Sequence, residues 1–399
     1  KTMRLRHFDC LLIRNLILSI LSLIVTSTVS LNQISAMKRG AAAFGRTVEA
    51  LAMKSSSSTL EKVRSVVVVG GTHGNEYTGV WCIRALEEQK KNLKKQYPSL
   101  SIDTLLSNPE AHANNQRFVD SDLNRQFTLE KLLQNARDTV EAKQAKILNE
   151  RLGPKEDPST DIVVDLHSTT SNMGISLIVP EGDDIMTLAA AYVAHKCKAE
   201  VKCGVHIVVH PYPDRTSRPS LSSCGKCGFT IEVGPVPQGV LRHDGVQHTQ
   251  TALRIFLQFL QDYNTIGLPR MQQQVSECYD HSQKINCWRS APAQQEGEMS
   301  GKIPWPKMLG NFPLVLIHES LQDQDFVKPV KKGDPLFVEL DGTIIPYNGS
   351  HGDSVHLMFI NEGGYYYASS GSGISVVVPT FYELKTGKFV VEDEPATIH

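Results

Sequence analysis

The chain has almost no net charge: 41 basic and 42 acidic residues give −1 at pH 7. That balance excludes the strongly basic surface on which a nucleic-acid binder depends. Cysteine is scarce as well. Eight cysteines in 399 residues are too few for a disulfide-held scaffold of this size. One pair, Cys224-Gly-Lys-Cys227, has the spacing of a disulfide, a redox pair or half a metal site, and is read first as incidental or as a local disulfide. A second such pair, which a zinc knuckle needs, is missing. Internal repeats and long low-complexity tracts are also absent. The apolar run at 16–25 is shorter than the roughly 20 residues that span a bilayer.

What is present begins with a leader-like segment. Arg4, Arg6 and Arg14 precede the apolar run, and small residues follow at Ser30 and Ala36, the arrangement of a secretory-type signal. Residues 37–58 are rich in alanine, serine and basic residues, with Glu49 the only acid, as in an organelle transit segment. Residues 1–62 are therefore expected to be a removable leader. It implies entry into the secretory pathway or an organelle, and no stable membrane span in the mature form.

From residue 63 strands and helices alternate. Strand-like runs fall at 66–69, 102–107, 162–166, 175–179, 205–209 and 229–233, and helical periodicity at 78–96, 129–151, 185–198 and 247–263. Such interleaving implies an α/β fold with a mostly parallel sheet flanked by helices. The helical pattern stops at Gly267-Leu268-Pro269, and a polar stretch follows. Beyond it, short strand-like runs separated by glycine turns suggest a smaller β domain. The expected organisation is a catalytic α/β domain over 63–265, a linker over 266–300 and a C-terminal β domain over 301–392 that caps the active site.

One loop concentrates the chemistry. Four consecutive valines lead into Gly70-Gly-Thr-His-Gly-Asn-Glu76, and a helical pattern follows. A strand-to-helix turn there presents His73 and Glu76 at the carboxyl end of a strand, where open α/β sheets place their ligands. A histidine and a glutamate are two-thirds of a His-Glu-His catalytic zinc site. His167, ending the buried run 162–166, is the candidate third ligand. Glu232 is a single acid inside an apolar strand, which is costly unless it is paired or has a function. Beside a metal it suits a general base. Arg117, Asn124 and Arg125 share a loop, and arginine forks are the usual grip on carboxylates. Other histidines, among them His195, His206 and His248, fall on helix or strand patterns as packing or surface residues.

In order along the chain, Gly70-Gly-Thr-His-Gly-Asn-Glu76, Asp122-Leu-Asn-Arg125, Asp165-Leu-His-Ser-Thr-Thr-Ser-Asn-Met-Gly174, Ile231-Glu-Val-Gly-Pro235 and Phe359-Ile-Asn-Glu-Gly-Gly-Tyr365 resemble the aspartoacylase/aminoacylase-3 family, zinc-dependent amidohydrolases related to the zinc carboxypeptidases. The resemblance covers most of 65–365 and is nearest to aspartoacylase. It implies a zinc carboxypeptidase-like fold with one zinc per subunit, held by His73, Glu76 and His167. Glu232 would be general base and then acid. Arg117 would polarise the scissile carbonyl, Asn124 and Arg125 would grip the substrate carboxylate, and Tyr365 would close the pocket from the second domain. The implied activity is hydrolysis of a small N-acyl amino acid, first of all N-acetyl-L-aspartate to acetate and L-aspartate. The alternatives are an aminoacylase-3-like deacylase of neutral or aromatic N-acyl amino acids, a desuccinylase, or a non-catalytic binder of such molecules. A homodimer is compatible with the family, and its members point to the cytoplasm where the leader does not.

The sequence departs from the family in the loop before Glu232, which reads His210-Pro-Tyr-Pro-Asp-Arg215-Thr-Ser-Arg218. It is lengthened and carries the Cys224/Cys227 pair, and it lacks tyrosine at the matching place. Arg218, with Arg215 second, is the candidate for the acidic side chain of a substrate. After Tyr365, where aspartoacylase has lysines, this chain has Tyr366 and Tyr367.

Overall fold

In the computed structural model of the chain the described residues are 60–134, 138–212, 214–279, 284–292, 301–368 and 373–390. The leader expected over 1–62 lies, up to residue 59, outside them. Among the described residues no helix is long and apolar enough to cross a membrane.

The main strands are β1 (Ser65–Gly70), β2 (Ser101–Leu106), β3 (Ile162–Ser168), β4 (Gly174–Pro180), β5 (Val205–His210), β6 (Cys227–Gly234), β7 (Lys284–Ser290), β8 (Ser354–Met358) and β9 (Ile374–Glu383). They lie side by side in the order β8-β9-β7-β5-β4-β6-β3-β1-β2 within one twelve-stranded sheet. Strands β1, β2, β3 and β6 are mutually parallel, whereas β4 runs antiparallel to β6. The main helices are α1 (Tyr77–Glu88), α2 (Val140–Leu152), α3 (Asp184–Cys197), α4 (His243–Ile266) and α5 (Leu268–Cys278). The chain thus has an α/β fold with a large mixed sheet flanked by helices and smaller C-terminal sheets.

The valines of β1 show why this sheet is covered on both faces. Successive side chains of a strand point to opposite sides. Val66 and Val68 enter the core formed with α1, α3 and α4, while Val69 enters a second core with Leu123, Leu148 and Leu152. A strand buried on both faces needs a continuous apolar run, and β-branched valines suit it. The longest helix, α4, seats Leu253, Phe256, Leu260 and Tyr263 on the sheet at three- and four-residue intervals. Phe256 stacks on Phe229 of β6 at 4.1 Å between ring centres.

Three segments differ from expectation. The helical pattern 78–96 breaks at Gln89 into α1 and Lys90–Gln96, and the second piece buries only Leu93. The pattern 129–151 splits into Leu129–Leu133 and α2, which Thr139 starts by accepting the Ala142 N–H at 3.3 Å. The stretch 266–300, expected as a linker, holds α5 and β7. Strand β7 pairs with β5 in parallel and with β9 antiparallel, so the large sheet runs on into the C-terminal residues. Those residues also form a separate three-stranded sheet of Val315–Ile317, Pro335–Glu339 and Ile344–Pro346, over their own core.

Cys224 and Cys227 are free thiols, so of the two readings preferred for that pair the incidental one agrees with the structure and the local disulfide does not. Cys224 packs with Val69 and Leu123, and Cys227 belongs to the core beneath α4, on the opposite face of the sheet. Burial pushes the Cys224 thiol up to about 12, so it stays protonated and behaves as a small apolar side chain.

Candidate metal and substrate site

The turn after β1 is possible only with glycine. Gly71 has φ +72°, the left-handed region. A Cβ on Gly74 would lie 2.2 Å from the Ala111 carbonyl carbon, and the Gly74 N–H donates to the Arg117 carbonyl at 3.1 Å. One close approach therefore joins the His73–Glu76 turn to the arginine loop. β3 ends beside it and delivers His167. Glu232 is the register partner of His167 on β6.

His73, Glu76 and His167 are buried, and their ligand atoms lie within 4.8 Å of one another. Glu76 Oε1 is 2.6 Å from His73 Nδ1, and its Oε2 is 2.9 Å from His167 Nδ1. The opposite ring nitrogens meet two further carboxylates. His73 Nε2 is 3.2 Å from Asp122 Oδ1, and His167 Nε2 is 2.9 Å from Asp165 Oδ2, although that second contact is out of line for a hydrogen bond. Two Nδ1 atoms and a carboxylate converge, and outer acids face the far nitrogens; this is how proteins hold a divalent metal and fix the histidine tautomers. The residues present fit a metal. Burial alone would raise the Glu76 carboxyl, but the two imidazoles outweigh it and hold it well below the usual range. For His167 burial acts downward, and Asp165 and Glu76 overcome it to raise the imidazole.

The other expected residues line the same pocket: Glu232, Arg117, Asn124, Arg125, Arg218 and Tyr365. Glu232 Oε1 has no hydrogen-bond partner among the described residues. Burial, with Glu76 and Glu362 adding to it, raises its pKa well above the ordinary value against the pull of His167 and Arg117. Arg117 reaches Glu76 Oε1 at 3.2 Å and Asp122 Oδ2 at 3.3 Å. The side-chain oxygen of Asn124 accepts the Leu221 N–H at 2.8 Å, which leaves its NH2 as the donor group. Arg218 is 7% exposed, and its guanidinium has no hydrogen-bond or ion-pair partner among the described residues. Arg215, the second candidate, is not in the pocket; its Nη1 donates to the Ser223 carbonyl at 3.3 Å. Tyr365 is pushed up to about 12 by burial, so its phenol stays protonated.

Residues 62–260 match the succinylglutamate desuccinylase/aspartoacylase catalytic domain. The aspartoacylase of Rattus norvegicus is 33% identical over 309 residues, which cover 77% of this chain and 90% of that relative. The chain belongs to the succinylglutamate desuccinylase/aspartoacylase family. Its relatives are amidohydrolases, which supports deacylase activity here. They divide in their named substrates. The N-acyl-aromatic-L-amino acid amidohydrolase (carboxylate-forming) of Xenopus laevis is 34% identical over 307 residues, with 76% of this chain and 91% of the relative covered. Among solved structures, murine aminoacylase 3 superposes with a TM-score of 0.67 at 27% identity, over 84% of this chain and all of that one.

Within this family frame several residues in and behind the pocket were given no role in the sequence reading. Asp165 sits two residues before His167, on the same face of β3, so strand alternation already pointed to it. Asp122 heads the Asp-Leu-Asn-Arg string and caps its turn through the Asn124 N–H at 2.8 Å. Glu362, 4% exposed, accepts from the Thr170 N–H at 3.0 Å and lies 3.9 Å from Arg117, which ties the Tyr365 turn to the end of β3. Lys302 Nζ stands 3.2 Å from the centre of the Tyr365 ring. His210 and Tyr212 also line the pocket, and their Nδ1 and Oη lack partners among the described residues. No local pattern signalled Lys302 or His210.

Proposed function

We propose that the protein is a zinc-dependent amidohydrolase that deacylates small N-acyl amino acids, with N-acetyl-L-aspartate as the preferred substrate. The carrying observation is the Arg218 guanidinium, buried without a partner in the pocket that also holds His73, Glu76 and His167. Asp183 acts on it electrostatically without forming an ion pair, and a desolvated cation of this kind is costly unless an anion reaches it, which a substrate carboxylate would supply.

His73, Glu76 and His167 would hold the zinc. When bound, zinc supplies a Lewis acid and a means of activating water at neutral pH. Glu232 Oε1 accepts the proton of the attacking water. Its raised pKa makes it a stronger base than an exposed glutamate and lets it return the proton to the leaving nitrogen. Arg117 directs positive charge at the carbonyl oxygen, where negative charge develops. Arg125 and the Asn124 NH2 bind the α-carboxylate common to all such substrates. Arg218 takes the side-chain carboxylate, and Tyr365 with Glu362 closes the pocket from the C-terminal residues.

A preference for aromatic substrates is the second reading. Ile178, Met358 and Phe359 line the pocket, and a relative of equal similarity is named for aromatic substrates. The test is kcat/KM for N-acetyl-aspartate and N-acetyl-tyrosine with wild type, Arg125→Ala and Arg218→Ala. Arg125→Ala is expected to weaken both substrates alike. Arg218→Ala should cost the acidic one about 1.5–3 kcal/mol, the scale of a hydrogen bond to a charged group, and leave the aromatic one nearly unchanged. Equal losses in Arg218→Ala would remove the assignment, and a wild type that prefers N-acetyl-tyrosine would establish the second reading.

A further inference from the structure

Lys155 lies outside the pocket and outside every motif, yet none of its surface is exposed. A lysine is almost never fully buried unless paired, and no carboxylate pairs with it among the described residues. Its Nζ donates instead to the Phe127 carbonyl, to the Arg218 carbonyl at 2.5 Å and to the Ser223 hydroxyl at 2.6 Å. Ser223 Oγ in turn donates to the Ser220 carbonyl at 2.6 Å, so it has a lone pair for the lysine. The Lys155 backbone N–H is held by Asn149 Oδ1 at 2.9 Å, just beyond α2.

Those acceptors belong to two loops. One carries Asn124 and Arg125, the other Arg218. Three more bonds stitch the loops together: Phe127 N–H to the Pro219 carbonyl at 3.1 Å, Leu129 N–H to the Thr216 carbonyl at 3.0 Å, and Leu221 N–H to Asn124 Oδ1 at 2.8 Å. The Arg218 carbonyl is left out of this ladder; it is taken by Lys155 Nζ and lies 3.1 Å from the Ser223 hydroxyl, which can also donate to it. Because the Arg218 guanidinium has no tether of its own, it is only as well placed as its backbone.

We propose that Lys155 is the positioning residue that fixes Arg218 in the pocket, and that it thereby sets the preference for substrates bearing a side-chain carboxylate. The proposal rests on the reading of Arg218 given above. Removing Nζ strands the Phe127 carbonyl oxygen and leaves the Arg218 carbonyl only the Ser223 hydroxyl, which the Ser220 carbonyl also claims, so the tie between the loops slackens. A misplacement of about 1 Å in a binding group is enough to cost roughly 100-fold.

The experiment compares kcat/KM and KM for N-acetyl-aspartate and N-acetyl-tyrosine in the zinc-loaded enzyme with Lys155→Met, Ser223→Ala, Arg218→Ala and Lys155→Met/Arg218→Ala. Lys155→Met is expected to lower the acidic-to-aromatic ratio at least 10-fold, mainly through KM for the acidic substrate. Ser223→Ala, which removes one of the three acceptors of Nζ and the second donor to the Arg218 carbonyl while leaving the Lys155–Arg218 bond, should do the same more weakly, and it carries the test if Lys155→Met does not fold. In the Arg218→Ala background the lysine substitution should not change the ratio further, since contacting groups that act through one another are non-additive. A general loss of stability would lower both substrates together, and that result overturns the proposal. So does an equal ratio change with and without Arg218. If Arg218→Ala itself weakens both substrates equally, the fault lies in the reading of Arg218.

Discussion

The two ends of the pocket are built differently. At the metal end nearly every charge already has a partner: Glu76 lies between two imidazoles, each imidazole faces a further acid, and Arg117 joins Glu76 to Asp122. These groups sit on strand ends or on turns fixed by glycine. At the far end Arg218, His210 and Tyr212 have side-chain groups without partners among the described residues, and Arg218 hangs on a long loop stitched to another loop. The paired end can hold its geometry before anything binds. The unpaired end has donors to spend on a ligand, so under the proposed function it is the end that would tell substrates apart.

The comparison breaks most clearly at the metal end. His167→Ala removes a ligand and leaves Glu76 and Asp165 facing a gap. The variant should lose bound zinc and at least about 1,000-fold in kcat/KM for every substrate, since metal polarisation is worth several kcal/mol. Elemental analysis beside the rate measurement checks it, and a zinc-free variant with wild-type rates would end the proposal. Glu232→Gln keeps shape and hydrogen bonding but cannot accept a proton. Its kcat should fall about 10²–10⁴-fold with zinc still bound. A variant retaining a tenth of the wild-type kcat contradicts the role. At the far end the expected changes are in substrate ratio rather than in rate overall, as set out for Arg218 and Lys155.

The smallest expected effect sharpens the comparison through stability. Burial pushes the Lys155 amine down to about 7, with Arg218 and Arg215 adding to it and Cys224 and Asp214 opposing. In the unfolded chain the amine titrates near the ordinary value of about 10.4. Between those values the unfolded state binds more protons than the folded one, so this residue makes stability rise with pH from about 7 upward. From pH 7 to 9 the wild type should gain about 2 kcal/mol relative to Lys155→Met, somewhat less than two full units at 1.36 kcal/mol each because the folded amine is already half deprotonated at pH 7. Urea denaturation at the two pH values measures it. Parallel pH dependences in the two proteins would show that the amine is not perturbed in the fold.

Much of the metal end was determined by sequence alone. Valine runs specify strands buried on both faces, Gly71 and Gly74 permit a turn no other residue allows, and alternation along β3 puts Asp165 and His167 on one face. These are local consequences of backbone sterics and the two-residue strand period. Tertiary structure decided the rest. Only strand pairing brings Glu232 opposite His167, and only the extension of the sheet through β7 and β9 carries the Glu362 and Tyr365 turn to the end of β3. The stretch 284–290 read as linker because its sequence, KINCWRS, mixes charged and apolar residues, as suits a strand covered by neighbours distant in the chain. Lys155 was invisible for the same reason: its three acceptors lie 28 to 68 residues away in sequence, so only the folded chain could make a buried lysine the tie between two loops.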